Sequence, residues 1–314
     1  MRWLLLTLMI GGLLCSGAYA NTPSFDEGPG PASGGFPGVR SDIPELTNFF
    51  VGGPAMTDVW CTGLGYHQGI FWVSGSDFDG DETNADGDNG IYFYDEYGNY
   101  IGGFPQPTQD TWGWRDSGYN GTHLIYGASS PHAGMIFYVN ATTMAVEYEF
   151  NGCPFGTCRA LAVDYFDAGV MTYRVSDYAS TLDSYLWTVG DPSALPIGSC
   201  PAASANPYGL AFDNGNNTLW MTESNAGGIG YLYAVDPISC VVMNTYDMSP
   251  ESPRFGGAVM AQTSHGCNLW TMVQTEPNDA LFGWATGGDN PFACSGATAV
   301  EPATWGSIKA NYQD

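Results

Sequence analysis

The stretch Tyr208-Gly-Leu-Ala-Phe-Asp213, followed by Thr218-Leu-Trp-Met-Thr222, decides the fold class of this chain. Two short runs rich in apolar, aromatic and Thr residues flank an Asn-Gly-Asn-Asn turn, which is the pattern of a β-hairpin. A second clear copy reads Arg159-Ala-Leu-Ala-Val-Asp164 and then Gly169-Val-Met-Thr-Tyr173. Looser copies begin at Trp60, Trp114 and Gly257.

These copies begin roughly 45 to 50 residues apart, a period typical of β-propeller blades. Turn signals divide each repeat into four strand-like runs. We therefore predict an all-β chain with a single β-propeller of five blades, each of four antiparallel strands, over residues 43–300. Residues 46–51 would form a strand that completes the last blade. Six blades remain an alternative if residues 43–53 build a partial blade.

The N-terminal residues 1–20 predict export. They combine Met1-Arg2, an apolar run and the small-residue pattern Ala18-Tyr19-Ala20, which together are typical of a secretory signal peptide. No later stretch is long and apolar enough to predict a membrane span. We expect a protein that is secreted or extracytoplasmic, at the cell surface or in the extracellular space.

Two further segments differ from the repeats. Residues 21–42 are rich in Pro, Gly and Ser and predict a flexible leader. Residues 301–314 predict a short C-terminal helix, because three large side chains would share one helical face: Trp305, Ile308 and Tyr312.

The charge of the chain restricts its partners. Seven Lys and Arg residues stand against 32 Asp and Glu residues, for a net charge of −25. Such a field repels nucleic acid and anionic membranes, so neither is expected as a partner. Aromatic and amide side chains suit contacts with protein or carbohydrate. We expect a protein or carbohydrate partner at the cell exterior, with self-association as a further option.

Seven of the eight cysteines follow the signal peptide, and in an exported protein they predict disulfides with one thiol left over. We predict the pairs Cys153–Cys158 across a short turn, Cys267–Cys294 within one repeat and Cys200–Cys240 between neighbouring repeats. Cys61 would then remain unpaired. A metal or redox use is the alternative, and no Cys-x-x-Cys spacing supports it.

The repeats also resemble a known group of proteins. The stretches Trp112-Gly-Trp-Arg-Asp-Ser-Gly-Tyr-Asn-Gly121, Gly134-Met-Ile-Phe-Tyr-Val-Asn140 and Arg159-Ala-Leu-Ala-Val-Asp164 are similar to exported bacterial β-propeller proteins with "WGWRDLAYDG" and "RGLAWD" repeats. The resemblance covers residues 58–312, including a Trp-Gly-x-x-Lys ending at Trp305. It implies the propeller fold and export. It transfers no catalytic residues, because fold alone does not fix function.

An acidic stretch in the first repeat predicts a calcium site. Calcium takes six to eight oxygen ligands, and alternating aspartates in a Gly-containing loop supply them. The candidate ligands are Asp77, Asp79, Asp81, Asp86 and Asp88. The alternative is a solvated acidic loop without a bound ion.

The few basic residues predict a second site. Aligning the repeats at their first strands places Arg115 and Arg159 in the slot of Tyr208, with Arg254 two residues earlier. An anion-binding channel mouth would therefore be lined by Trp112, Trp114, Arg115, Arg159, Tyr208 and Arg254. Alternatively, the arginines only pair with acidic neighbours such as Asp116 or bond carbonyls between blades.

Two classes of function fit these features. The first is a non-catalytic extracellular propeller, stabilised by calcium, that serves as a binding or structural surface protein. The second is a calcium-dependent, lactonase-like hydrolase or lyase acting at the channel mouth. We favour the first and assign no catalytic residues, because no Gly-x-Ser-x-Gly elbow, His-Glu-x-x-His helix or phosphate-binding loop is present. An enzyme would need carboxylates that converge with a metal at the mouth.

Overall fold

The computed structural model describes residues 43–52, 61–75, 89–108, 110–153, 156–176, 181–223, 230–248, 254–274 and 279–294. These ranges contain twenty strands, arranged in five four-stranded antiparallel sheets. The described residues include no helix. The predicted signal peptide, leader and C-terminal helix lie outside the described residues. The sheets are the five predicted blades, so the six-blade alternative is not realised.

Each blade runs from its inner to its outer strand in chain order, except at the closure of the ring. The first strand, β1 (Glu45–Phe50), belongs to the last blade. Blade 1 consists of β2 (Gly63–His67), β3 (Ile70–Gly75), β4 (Gly90–Tyr94) and β5 (Tyr100–Pro105). Blade 2 consists of β6 (Trp114–Tyr119), β7 (His123–Ala128), β8 (Met135–Asn140) and β9 (Val146–Asn151).

The remaining blades follow the same order. Blade 3 consists of β10 (Ala160–Asp167), β11 (Val170–Ser176), β12 (Thr181–Thr188) and β13 (Leu195–Pro201). Blade 4 consists of β14 (Pro207–Asp213), β15 (Thr218–Glu223), β16 (Tyr231–Val235) and β17 (Val242–Asp247). Blade 5 consists of β18 (Phe255–Thr263), β19 (Gly266–Val273), β20 (Ala280–Trp284) and β1.

Strand β1 closes the ring from the other end of the chain. It pairs antiparallel with β20, with Phe49 opposite Leu281 and Phe50 opposite Ala280. The expected closing strand is therefore formed.

The five inner strands β2, β6, β10, β14 and β18 surround a narrow central channel. Each contacts the next around the ring, and β18 contacts β2. Their residues are almost entirely buried in blades 1, 2 and 4. Glycines allow this convergence, because a Cβ at Gly209 would lie only 2.5 Å from the backbone nitrogen of Ala258.

Aromatic side chains fill the spaces within and between blades. Trp114 stacks on Tyr126 and Phe137, with centroid separations of 5.1 and 5.0 Å. Phe150 and Trp187 stack at 4.1 Å across the boundary between blades 2 and 3. Such pairs add to the stabilisation from burial, which accounts for the aromatic-rich composition.

Two of the three predicted disulfides are formed. Cys200 is bonded to Cys240, which links blades 3 and 4, and Cys267 is bonded to Cys294. The predicted disulfide between Cys153 and Cys158 is not formed, since both residues are thiols. Cys61 is also a thiol. The reason lies in packing: Cys153 and Cys158 both belong to the apolar core between blades 2 and 3, with the Cβ of Cys158 packed closely against Gly127.

Candidate functional site

The residues predicted to form the channel mouth lie at one end of the central channel, where the inner strands begin. We keep the name channel mouth for this end. Among its residues, Arg115 lies in β6, Tyr208 in β14, and Arg159 and Arg254 directly precede β10 and β18. Trp112 lies two residues before β6. The structure therefore brings residues from blades 2 to 5 to the same end of the ring.

The arginines of the channel mouth differ in accessibility. Arg115 is only 1% exposed, and its Nη1 donates to the carbonyl of Trp112 at 3.4 Å. Arg254 and Tyr208 are also buried. Arg159 is half-buried, with its guanidinium carbon 6.0 Å from the centroid of the Tyr208 ring. This cation–π distance lies at the outer limit of such contacts. Arg159 and Trp112 are therefore the members of the set that a ligand can reach.

Trp114 differs from the prediction that it lines the mouth, because the structure places its side chain in the core of blade 2. The ring stacks between aromatic neighbours there, and its Nε1 donates to Thr108 Oγ1 at 2.9 Å. A register shift between Trp114 and Ser117 explains this placement. Such an irregularity re-aims side chains, so residues beside it need not follow simple alternation.

Asp116 occupies the channel just inside the channel mouth. Its Oδ2 accepts the backbone N–H groups of Leu161 at 3.1 Å and Leu210 at 2.8 Å, and its Oδ1 accepts that of Ala258 at 3.1 Å. The side chain is fully buried. Burial raises the pKa of Asp116 well above its usual range, and the N–H groups that donate to it, including that of Ser117, oppose the shift. One alternative from the sequence pairs the arginines with acidic neighbours such as Asp116, whereas the hydrogen bonds described for Asp116 come from backbone amides.

Beyond Asp116, the channel narrows to a cavity of about 20 Å³. This volume holds about one water molecule. Asn290 and Ala293 line its far end, and Asn290 Nδ2 donates to the carbonyl of Phe212 at 2.9 Å. The disulfide Cys267–Cys294 ties this segment to blade 5. Among the described residues, the channel beyond Asp116 is therefore too narrow for a ligand much larger than water.

A histidine–aspartate pair lies on the same side of the ring as the channel mouth. His132 Nδ1 donates to Asp110 Oδ1, with the carboxylate buried and the imidazole side chain 40% exposed. Burial raises the pKa of Asp110, while the bond from His132 opposes that shift. Asn89 Nδ2 donates to the Asp110 carbonyl at 2.5 Å and fixes its backbone. A buried carboxylate that orients an accessible imidazole is an arrangement able to transfer protons.

Sequence reasoning missed this pair. Asp110 and His132 lie in different connections, one before β6 and one between β7 and β8. No fixed spacing links them, since their proximity depends on how the two loops pack. Further contacts join these loops: Thr111 N–H donates to the Ser130 carbonyl at 2.8 Å, and Trp112 N–H donates to Ser129 Oγ at 3.0 Å.

The predicted calcium ligands Asp77, Asp79, Asp81, Asp86 and Asp88 lie outside the described residues. Within the ranges that the structure describes, no group of three or more His, Cys, Asp or Glu side chains is placed to hold a metal ion. The described part of the chain likewise contains no helix long and apolar enough to cross a membrane.

Comparison with known proteins supports the fold. No protein-family model matches the chain, and neither does any curated protein. The structure is similar to glutaminyl cyclase of Myxococcus xanthus, with a TM-score of 0.53, 14% identity, and 80% of this chain and 99% of that chain covered. It is less similar to U3-55K, with a TM-score of 0.39, 12% identity, and 73% and 62% covered. At this level of identity, the likeness to the glutaminyl cyclase establishes the β-propeller fold alone.

Proposed function

We propose that this protein is a non-catalytic, extracytoplasmic β-propeller that binds an anionic carbohydrate or protein at its channel mouth. The observation that carries the proposal is that Arg159 and Trp112 are both partly exposed at the channel mouth, above the buried Asp116. Because the channel is narrow, we expect a ligand to bind at the surface of the channel mouth. There a guanidinium can bind a carboxylate, and an indole can pack on a sugar or an apolar side chain. The two disulfides support a location outside the cytoplasm.

Electrostatics makes this site selective. In a chain with a net charge of −25, an anionic ligand is repelled by most of the surface. The grouping of Arg115, Arg159 and Arg254 reduces that repulsion at the channel mouth. Arg115 and Arg254 contribute charge from beneath the surface, while Arg159 is placed to contact the ligand.

Binding assays with variants of the channel mouth test this proposal. We expect a panel of acidic and neutral oligosaccharides and acidic peptides, followed by calorimetry, to identify an anionic ligand. Arg159→Ala and Trp112→Ala should each weaken its binding at least about tenfold, as expected for loss of a central contact. Tyr148→Ala, at an exposed position on outer strand β9, is the matched control and should bind normally. Absence of binding across the panel, or unchanged affinity in Arg159→Ala, would overturn the proposal.

We further propose that Asp77, Asp79, Asp81, Asp86 and Asp88 hold a structural calcium ion. The support is their number and spacing, because such a density of carboxylates repels itself unless a cation is bound. Calcium should bind in calorimetric titration and raise the melting temperature of the mature protein, and a chelator should reverse the rise. Asp79→Asn combined with Asp81→Asn should abolish both effects. No binding heat, together with an identical melt in chelator, would refute the site.

A second candidate function is a hydrolase or related acyl-transfer enzyme acting near the channel mouth. The observation that favours it is the Asp110–His132 pair, in which the buried carboxylate orients an accessible imidazole. A protein of similar fold is a glutaminyl cyclase, which makes a glutaminyl cyclase assay a reasonable first test, alongside ester and lactone hydrolysis. Turnover that is lost in His132→Ala and reduced in Asp110→Asn would favour this function over pure binding. Turnover that both variants retain, or none at all, would reject it.

A further inference from the structure

Exposed apolar side chains concentrate on the outer edges of blades 3 and 4. Among the described residues, six of the eleven exposed large hydrophobic side chains lie there: Leu195, Ile197, Ile238, Val241, Val242 and Met243. Ile238 is 85% exposed and Val241 is 60% exposed. Isolated apolar residues on a surface are ordinary, but a cluster of this kind marks an interaction surface.

The backbone of β17 adds a second feature to this cluster. It is the outermost strand of blade 4 and pairs on one side with β16, and no described strand pairs with its other side. Outer strands are commonly protected by charges or prolines. The outer strand β9 carries Glu147 and Glu149, and β13 carries Pro196 and Pro201. Residues 241–246 contain neither a charge nor a proline, and the one charged residue of β17 is Asp247 at its end. This edge is therefore chemically open to another strand.

Charge identifies the partner that this edge fits best. The chain carries a net charge of −25, so two copies repel each other over most approaches. The segment 237–246 contains no charged residue. Two copies can therefore meet at this edge without placing like charges opposite one another. A strongly basic partner would instead be expected to contact an acidic surface.

We propose that two copies of this chain associate edge to edge through β17, in an antiparallel arrangement centred on Asn244. This arrangement has two-fold symmetry, so each copy presents the same surface. Val242 lies opposite Tyr246 of the second copy, and Met243 lies opposite Thr245. The two fourth blades join into one continuous eight-stranded sheet. The disulfide Cys200–Cys240 holds the turn that leads into β17 against blade 3, which keeps the edge ordered before association.

The position of β17 keeps this association separate from ligand binding. The edge lies on the outer rim of blade 4, whereas the channel mouth lies at the centre of the ring. The dimer and the mouth ligand are therefore independent, and failure of one proposal leaves the other standing.

Analytical ultracentrifugation of the mature protein tests the dimer. We expect a concentration-dependent dimer that strengthens between about 0.05 and about 0.5 M NaCl, because salt screens the repulsion between two anionic copies. Met243→Lys combined with Thr245→Lys places like charges opposite one another and should leave a monomer with an unchanged circular dichroism spectrum. Tyr148→Lys on β9 is the control and should remain dimeric.

A mixing experiment separates this geometry from general surface effects. A copy with Met243→Lys and Thr245→Lys, mixed with a copy carrying Met243→Glu and Thr245→Glu, should restore a dimer that either copy alone does not form. A wild-type protein that stays monomeric to about 200 μM in 0.5 M NaCl would overturn the proposal; that concentration readily detects micromolar association. Dimers that persist in both charged variants, or association that tightens only with another polypeptide, would overturn it equally.

Discussion

The carboxylate of Asp116 accepts the backbone N–H of Leu210 at 2.8 Å, although 94 residues separate them in the chain. The same carboxylate accepts the N–H groups of Leu161 and Ala258. One side chain of blade 2 therefore binds the inner strands of blades 3, 4 and 5. This carboxylate therefore connects blade 2 directly with blades 4 and 5, which are not its neighbours in the ring.

Removing the Asp116 carboxylate should destabilise the whole propeller. Asp116→Ala leaves three buried N–H groups without their acceptor, and each such loss costs about 1–3 kcal/mol. We expect a net loss of at least about 3 kcal/mol in the free energy of unfolding, measured by urea denaturation. Asp116→Asn keeps one acceptor oxygen and should fall between wild type and Asp116→Ala. Asp167→Ala, at an exposed position, is the control, and equal stability of the two alanine variants would contradict this account.

The backbone around Asp116 tolerates no added methyl group. A Cβ at Gly257 would lie well under 3.0 Å from both Asp116 Oδ1 and the backbone nitrogen of Leu64. Neither atom can move without breaking the central contacts, so Gly257→Ala should cost about 1–3 kcal/mol in chemical denaturation. Gly198→Ala is the matched control, because a Cβ added at Gly198 would meet nothing within 4 Å. Identical denaturation midpoints for the two variants would contradict this prediction, because they would show that the backbone around Asp116 adjusts to an added methyl group.

The sequence predicts what depends on local pattern and fails where distant segments meet. Blade number follows from repeats such as those at Arg159 and Tyr208, because strand alternation and turn residues are local signals. The Cys200–Cys240 disulfide was predictable because neighbouring repeats are adjacent in space. The Asp110–His132 pair was not, because it depends on loop packing.

The placement of Trp114 shows a second limit. It is adjacent in sequence to Arg115, and alignment of the repeats assigns both to the channel mouth. A register shift lies between Trp114 and Ser117 where β6 pairs with β7, and similar shifts lie near the starts of β14 and β18. A repeat alignment matches positions along the chain and does not show which face a side chain takes beside such an irregularity. A repeat alignment is therefore least reliable near the start of an inner strand, where it does not establish on which side of the strand a side chain lies.

His67 should make stability depend on pH below neutrality. The ring is buried, its Nδ1 donates to Tyr119 Oη at 2.7 Å, and the Tyr119 hydroxyl donates to the carbonyl of Gly121. Burial lowers the pKa of His67 to about 4, from an ordinary value of 6.5. Between these values the unfolded chain binds a proton that the folded chain does not. The contribution of His67 to the free energy of unfolding is therefore fully present above pH 6.5. It decreases by up to about 3 kcal/mol as the pH drops towards 4.

Denaturation at pH 7 and pH 4.5 measures this effect. His67→Gln keeps a side chain that can donate to Tyr119 and does not titrate, so it should lose less stability than wild type over the same interval. The carboxylates change the free energy of unfolding equally in both proteins, so their effect cancels when the two pH profiles are compared. A wild type and variant with parallel pH profiles would show that His67 is protonated at little cost in the folded state.

The disulfide Cys267–Cys294 should keep the far end of the channel closed. It anchors the segment whose Asn290 bonds the carbonyl of Phe212, and its 27-residue separation predicts a stabilisation of about 3 kcal/mol. Replacing both cysteines by serine should lower stability and accelerate amide hydrogen exchange in β14 and β18, which line the cavity. Replacing Cys200 and Cys240 by serine is the matched control, since it removes a disulfide at the outer edge. That variant should lose similar stability but keep slow exchange near the channel under native conditions. Equal acceleration in both variants would show that exchange follows global unfolding and that Asn290 alone suffices to close the channel.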